Sequence, residues 1–307
     1  MEKEKKMSQD KALVIVFILV SLFLVGCSES KSSDLVDSTE TEQPPQTVQI
    51  LPTEEPMIIE KNWEEFLGDV DGCIVFYDPK ACQYQIYNSE MAEMRFSPCS
   101  TFKIISALLG LEYQVISPEN STREWSGETF WNDSWNKDVD FTEAFHSSCV
   151  WYFREVIDEL GADILKQELE ALSYGNCDIS DRRGHIYDTQ KSDSLAGFWI
   201  ESSLLISPKE QTEVMARIFE NSSSYSEESL ALLSTVMAQD ESFANGWQVY
   251  GKTGFGKRSG GKTDAWFVGF AKKNGQTIYF CVYEGSGGST ADAKEVAGQL
   301  LELYEFQ

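Results

Sequence analysis

The stretch Pro98-Cys99-Ser100-Thr101-Phe102-Lys103-Ile104 decides how the rest of this chain is read. After Pro98, the apolar residues Phe102, Ile105, Leu108 and Leu109 recur at helical spacing, which predicts a helix from Ser100 to Gln114. On that helix Ser100 and Lys103 stand one turn apart on one face, so their polar ends come within hydrogen-bonding reach. A serine hydroxyl is a poor nucleophile until a base takes its proton. Lys103 is the candidate base in this segment. Burial among apolar neighbours and the positive end of the helix dipole both disfavour its ammonium form, lowering a pKa that is ordinarily about 10.4. The spacing alone is weak, since Ser8–Lys11 and Ser28–Lys31 share it and a serine at a helix start is ordinarily a cap.

Two further clusters strengthen it. Ser147-Ser148-Cys149-Val150-Trp151-Tyr152-Phe153 is a small polar pair running into an apolar segment, and a serine there can relay a proton between nucleophile and leaving group. In Tyr250-Gly251-Lys252-Thr253-Gly254-Phe255, Lys252 supplies a fixed positive charge, Thr253 a hydroxyl, and the glycines close backbone approach. Taken singly, these are a core helix with a satisfied hydroxyl and a coincidental tripeptide. In this order, on a helix start, a helical middle and a late strand, the three form a specific set.

The pattern around them predicts the fold. Cys73–Tyr77 and Gln83–Tyr87 are β-rich runs separated by Asp78-Pro79-Lys80, a hairpin. The region from 115 to 235 is mostly helical with long polar loops, and 140–160 holds one helix or two. Trp247–Thr253 is a strand; Trp266–Phe270 and Thr277–Tyr283 form a second hairpin, turning at Lys273-Asn274-Gly275; Asp292–Tyr304 is an amphipathic closing helix. Strands at both ends and helices between them predict an α/β (α+β) domain. Its antiparallel sheet is built from distant segments and flanked by helices, with an all-helical subdomain inserted.

The N-terminus carries a targeting signal. Lys3, Lys5, Lys6 and Lys11 precede an uncharged apolar run of 15 residues, Ala12 to Gly26, short for a membrane-spanning helix and suited to a signal peptide. The run ends in Leu24-Val25-Gly26-Cys27, which resembles a bacterial lipobox. That resemblance implies cleavage after residue 26, a diacylglycerol on Cys27 and a lipid anchor at the extracytoplasmic face of the bacterial cell membrane. Residues 27–58, rich in Ser, Thr, Glu, Pro and Gln, are expected to be a disordered spacer, with the globular domain over 59–307. A net charge of -25 excludes a nucleic-acid partner, because phosphate binding requires clustered Lys and Arg. Beyond Cys27 there are six cysteines, with no CxxC pair and two histidines in the whole chain, so no metal site is expected.

The three clusters together resemble the class D β-lactamases, active-site-serine enzymes of the penicillin-recognising fold, over roughly 60–305. The family's SxxK falls on Ser100 to Lys103, its SxV on Ser148 to Val150, and its KTG on Lys252 to Gly254. Tyr174-Gly175-Asn176 matches its YGN; Phe198-Trp199-Ile200 with Leu205-Ile206-Ser207-Pro208 resembles its FWL and ISP stretch. The resemblance implies a β-lactam substrate, an acyl-enzyme on Ser100, and a CO2-derived carbamate on Lys103 as general base. It makes Ser148 and Lys252 catalytic and gives Thr253, Gly254 and Phe255 to substrate binding, with the backbone N–H groups of Ser100 and Phe255 as the oxyanion hole. Phe102, Val150 and Ile200 would keep the lysine pocket apolar, and the Trp199 indole N–H would hold the carbamate.

Three departures stand out. Between Tyr174 and Trp199 lie 24 residues, a long polar loop centred on 178–195. No Arg follows Arg258, where the family places one for the substrate carboxylate; Thr253 with Lys252 or Lys257 is the expected substitute. Cys99 and Cys149 each abut a motif, and a disulfide between them is an expectation to test. The alternative functions are a penicillin receptor or penicillin-binding protein that acylates but turns over slowly, a cell-wall transpeptidase, and a binding lipoprotein without chemistry. A single apolar run favours the free-standing enzyme over the receptor.

Overall fold

A computed structural model describes residues 55–181, 197–220 and 223–304. The expected signal peptide, Cys27, nearly all of the spacer and residues 182–196 of the long loop lie outside the described residues.

The chain begins with strand β1 (Met57–Glu60) and a single helical turn, α1 (Glu64–Leu67). The first hairpin follows as β2 (Gly72–Asp78) and β3 (Gln83–Tyr87), then α2 (Ser89–Ala92). Helix α3 spans Lys103–Glu112, α4 Phe141–His146, α5 Val150–Ala171, α6 Pro208–Phe219 and α7 Glu227–Met237. Strands β4 (Gln248–Lys257), β5 (Thr263–Lys273) and β6 (Gln276–Glu284) and helix α8 (Thr290–Leu303) close the domain.

The six strands form one sheet in the order β1-β3-β2-β6-β5-β4. Every pairing is antiparallel except that of β1 with β3, where Met57 faces Gln83 and Glu60 faces Ile86 in parallel register. This edge strand is the parallel exception in the otherwise antiparallel sheet, and it begins at Met57. Its short Met-Ile-Ile-Glu run sits at the end of a polar, proline-rich stretch, so local composition hid it. Both expected hairpins are present. The second turns on Asn274 and Gly275, at φ 53° and 75°, the left-handed pair that fits the twist of a two-residue hairpin.

The central strands are buried on both faces, which is why β5 and β6 read as continuous apolar runs. One face, with Ile74, Phe76, Phe267, Phe280 and Val282, packs against Val296, Ala297, Leu300 and Leu301 of α8. The opposite face carries Val75, Trp266, Val268 and Cys281 into a larger core shared with α3 and α5. Within it α3 is buried from Lys103 through Leu111, a helix enclosed on all sides. The region expected to hold one helix or two contains α4 and the first part of α5, which breaks at Gly161 (φ 79°, ψ 165°).

Candidate active site

Ser100 does not open an α-helix. Cys99–Phe102 is a 3-10 turn that passes into α3 at Lys103. In a 3-10 turn residues i and i+3 eclipse each other, so the serine and lysine are aligned more directly than on an α-helix. Lys103 Nζ donates to Ser100 Oγ at 3.1 Å. The turn is fixed from outside. Cys99 N–H donates to the Trp199 carbonyl (2.9 Å), the Ser97 hydroxyl donates to the same carbonyl (3.0 Å), and the Trp266 indole N–H donates to the Ser97 carbonyl (3.1 Å). Cys99 itself is held at φ 49°, a left-handed conformation unfavourable for a residue with a side chain, immediately before Ser100.

Lys103 is fully buried, and burial is what lowers its pKa to about 8; the neighbouring thiols of Cys149 and Cys99 act weakly in the opposite sense. Its ammonium has the Phe153 ring 5.9 Å away. The Trp199 indole stacks on Phe102, with ring centroids 5.7 Å apart, and its buried N–H has no hydrogen-bond partner among the described residues.

The second cluster arrives from the turn between α4 and α5. Ser148 adopts φ 56°, and Cys149 N–H returns to the Ala144 carbonyl at 2.8 Å. Trp135 braces this turn, donating from its indole to the Ser147 carbonyl (3.0 Å) while its own carbonyl accepts from Trp151 (2.9 Å). Lys252 on β4 donates to Ser148 Oγ at 2.5 Å and to the Thr253 carbonyl at 3.2 Å. It is 5% exposed, and burial, reinforced by the charges of Lys103 and Lys294, holds its pKa well below the ordinary lysine range.

Ser100, Ser148, Val150, Thr253 and Phe255 share one cleft of about 260 Å3, walled also by Ile200, Trp131 and Trp135 and closed by Thr290 at the start of α8. Trp131, Trp135 and Thr290 were not singled out in the sequence; two tryptophans within five residues of an otherwise polar loop are the signal that could have found the first pair. Gly254 also has a packing role. A Cβ there would lie 2.9 Å from the Pro98 carbonyl oxygen and 2.9 Å from the Thr101 methyl. The glycine therefore admits the turn that carries Ser100 and sets the width of the cleft from behind. Cys99 and Cys149 are both buried free thiols, so the disulfide expectation is not met.

Tyr174-Gly175-Asn176 clamps the base of the loop that carries Trp199. Asn176 N–H donates to the Leu205 carbonyl, and its side chain donates to the Ser203 carbonyl (2.7 Å) and accepts from Leu205 N–H (2.9 Å). Arg258 faces away from this chemistry, its Nε 2.9 Å from the buried Asp264 carboxylate and its guanidinium 5.0 Å from the Phe96 ring centre.

The sequence pattern of the penicillin binding protein transpeptidase domain matches residues 72–302. The regulatory protein BlaR1 of Staphylococcus aureus is 27% identical over 304 residues, covering 97% of this chain and 47% of that protein. The chain thus spans about half the length of that relative. The probable β-lactamase YbxI of Bacillus subtilis is 30% identical over 244 residues, covering 79% of this chain and 84% of YbxI. Among solved structures, the C-terminal domain of the Bacillus licheniformis BlaR penicillin-receptor superimposes with a TM-score of 0.73 at 28% identity, covering 82% of this chain and 98% of that domain.

Proposed function

Because this chain belongs to the penicillin-binding protein transpeptidase family, we propose that it hydrolyses β-lactam antibiotics through an acyl-enzyme on Ser100, with Lys103 carboxylated. The Ser100 hydroxyl attacks the lactam carbonyl, forming the ester bond as the ring C–N bond breaks. The carbamate on Lys103, whose Nζ lies 3.1 Å from the Ser100 hydroxyl, would accept the hydroxyl proton as general base. Ser148, held by Lys252 at 2.5 Å, is placed to pass a proton to the departing ring nitrogen. By the family resemblance, the backbone N–H groups of Ser100 and Phe255 would receive the developing oxyanion.

Trp199 carries the carboxylation reading. A buried indole N–H without an acceptor costs about 1–3 kcal/mol, and this one belongs to the ring stacked on Phe102, the residue next to Lys103. CO2 adds only to an uncharged amine, and a pKa of about 8 leaves a usable neutral fraction at physiological pH. Carboxylated, the lysine would supply an anionic base for the hydrolytic water, with the Trp199 indole N–H as its donor and Phe102 and Val150 as its apolar walls.

A second reading is favoured by the overlap with the BlaR penicillin-receptor domain, which this chain covers almost completely: acylation of Ser100 followed by very slow deacylation. Hydrolysis of benzylpenicillin and a chromogenic cephalosporin, with and without bicarbonate and with Ser100→Ala as control, separates the two. Sustained turnover that rises with bicarbonate and disappears in the variant supports the hydrolase. A stoichiometric burst that stops supports the receptor, and absence of any acylation sinks both. The proposed location is the extracytoplasmic membrane face through lipid on Cys27, tested by release of a Cys27→Ala variant from membranes.

A further inference from the structure

β4 is an edge strand of the sheet, and Gly254 and Gly256 bring it against the turn that carries Ser100. Backbone groups along an antiparallel strand alternate in direction, so every second N–H of an edge strand points away from the sheet. Arg258 N–H turns inward, to the Lys262 carbonyl in the connection to β5. Lys257 N–H turns outward and donates to the Glu201 carboxylate. The same alternation puts Phe255 N–H, two residues back and about 7 Å along the strand, on the outer edge as well. Gln239 covers the earlier stretch of that edge, donating from its backbone to the Val249 carbonyl (2.8 Å) and from its side chain to the Gly251 carbonyl (3.1 Å). Between the Gln239 contacts and Glu201, Thr253 and Phe255 line the catalytic cleft.

Glu201 is held at both ends. Its N–H donates to the Ser97 hydroxyl (2.9 Å), which donates in turn to the Trp199 carbonyl (3.0 Å). Its backbone is left-handed, at φ 50°, a conformation that a residue with a side chain keeps only where its surroundings impose it. The side chain crosses Gly256, with Cγ 3.3 Å from the position a Cβ would take there. A carboxylate accepting a backbone N–H makes a charge-assisted bond, stronger than a neutral one. Glu201 thus stands two residues after Trp199 and grips β4 two residues after Phe255.

We propose that Glu201 is a positioning residue for acyl transfer: its carboxylate pins the end of β4 through Lys257 N–H and so fixes Phe255 N–H where the oxyanion develops. This rests on the acyl-transfer reading above. Glu201 touches no reacting atom and acts through the strand. Without the carboxylate, Lys257 N–H loses its acceptor and the strand end is released. A displaced donor then meets the transition state poorly while the resting substrate binds much as before.

The experiment measures saturation kinetics of Ser100 acylation by benzylpenicillin in the full chain, for wild type, Glu201→Ala and Glu201→Gln. Glutamine keeps an oxygen acceptor at the same reach. The limiting acylation rate constant is expected to fall about tenfold or more in Glu201→Ala, with the half-saturating concentration little changed, and to recover in Glu201→Gln. Amide NMR of the free protein gives the second readout. In Glu201→Ala the Lys257 N–H should exchange faster with solvent and the Phe255 amide resonance should move, while Glu201→Gln stays near wild type in both. Should Glu201→Ala fail to fold, Glu201→Asp, one methylene shorter, carries the same expectations. An unchanged limiting rate overturns the proposal, as does a loss confined to the half-saturating concentration or a loss equally large in Glu201→Gln. A rate loss with both amides undisturbed places the effect in the Trp199 segment and overturns it too. If benzylpenicillin does not acylate wild type, the function proposed above fails, and the amide readout alone then decides whether Glu201 pins the strand.

Discussion

The Trp199 indole lies stacked on Phe102, nearly parallel at 28°, with its N–H enclosed and unpaired among the described residues, beside the helix start that carries Lys103. A packed aromatic pair thus presents one aimed donor next to a buried amine, and this relationship yields the first prediction. Trp199→Phe keeps the stack and removes the donor. Turnover of benzylpenicillin should lose its bicarbonate stimulation, and the carbamate resonance expected in 13C spectra of wild type under labelled bicarbonate should be absent. Retention of the full bicarbonate response by the variant would exclude Trp199 as the holder.

The depressed pKa of Lys103 gives a pH dependence with a definite sign. With bicarbonate and CO2 removed, acylation of Ser100 requires the neutral amine. Its rate should climb about tenfold per pH unit below pH 8 and level off above about 8. A flat profile from pH 6 to 9 would show that the amine is not the base.

The same group affects stability. Its folded pKa of about 8 lies below its unfolded value, so between about 8 and 10.5 the unfolded chain binds more protons and stability rises with pH. Below 8 both states are charged and the full cost of burying the ammonium applies. Lys103→Met, similar in length and apolar, should therefore stabilise the fold at pH 7 by up to about 3 kcal/mol, read from urea unfolding. A destabilised variant would mean that an unseen partner compensates the charge.

Glu284 predicts the opposite pH trend. This side chain, 2% exposed at the end of β6, accepts from Ser289 N–H at 3.0 Å, yet burial pushes its carboxyl up to about 7. Because the folded pKa exceeds the unfolded value, the folded chain binds more protons between about 4.5 and 7. Its contribution is complete below 4.5 and is lost as pH rises through 7. Glu284→Gln, which preserves the acceptor, should unfold at higher urea concentration than wild type at pH 7.5 and show no advantage at pH 4.5.

Gly256 and Cys99 form a coupled pair. A Cβ on Gly256 would overlap Cys99 Sγ. Gly256→Ala should cost about 1–3 kcal/mol in wild type and distinctly less in a Cys99→Ala background, as a double-mutant cycle would measure. Additive effects would show that β4 and the turn carrying Ser100 adjust independently.

Hydrophobic period and punctuation determined much of this molecule before any folding was considered. Both hairpins, α3 and α8 follow from alternation, helical spacing and the Asn274-Gly275 turn, all properties of contiguous residues. Ser100 with Lys103 was legible for the same reason: the residues are one turn apart, and any tight helical geometry at that point joins them. Lys252 with Ser148 is different. Their contact spans 104 positions and exists only because β4, at the sheet edge, faces the turn between α4 and α5.

Tertiary structure alone decided the rest. The parallel pairing of β1 depends on a partner across the chain, so nothing within its four residues announces it. At Gly254 packing brings Pro98 and Thr101 against the position a Cβ would occupy, because a missing side chain does not specify what approaches it. Trp131, Trp135 and Thr290 enter the cleft from a loop and a helix end whose positions the whole fold sets. Local sequence encodes torsional preference and amphipathic period; which distant surfaces meet is set by closing a single core on both faces of the sheet.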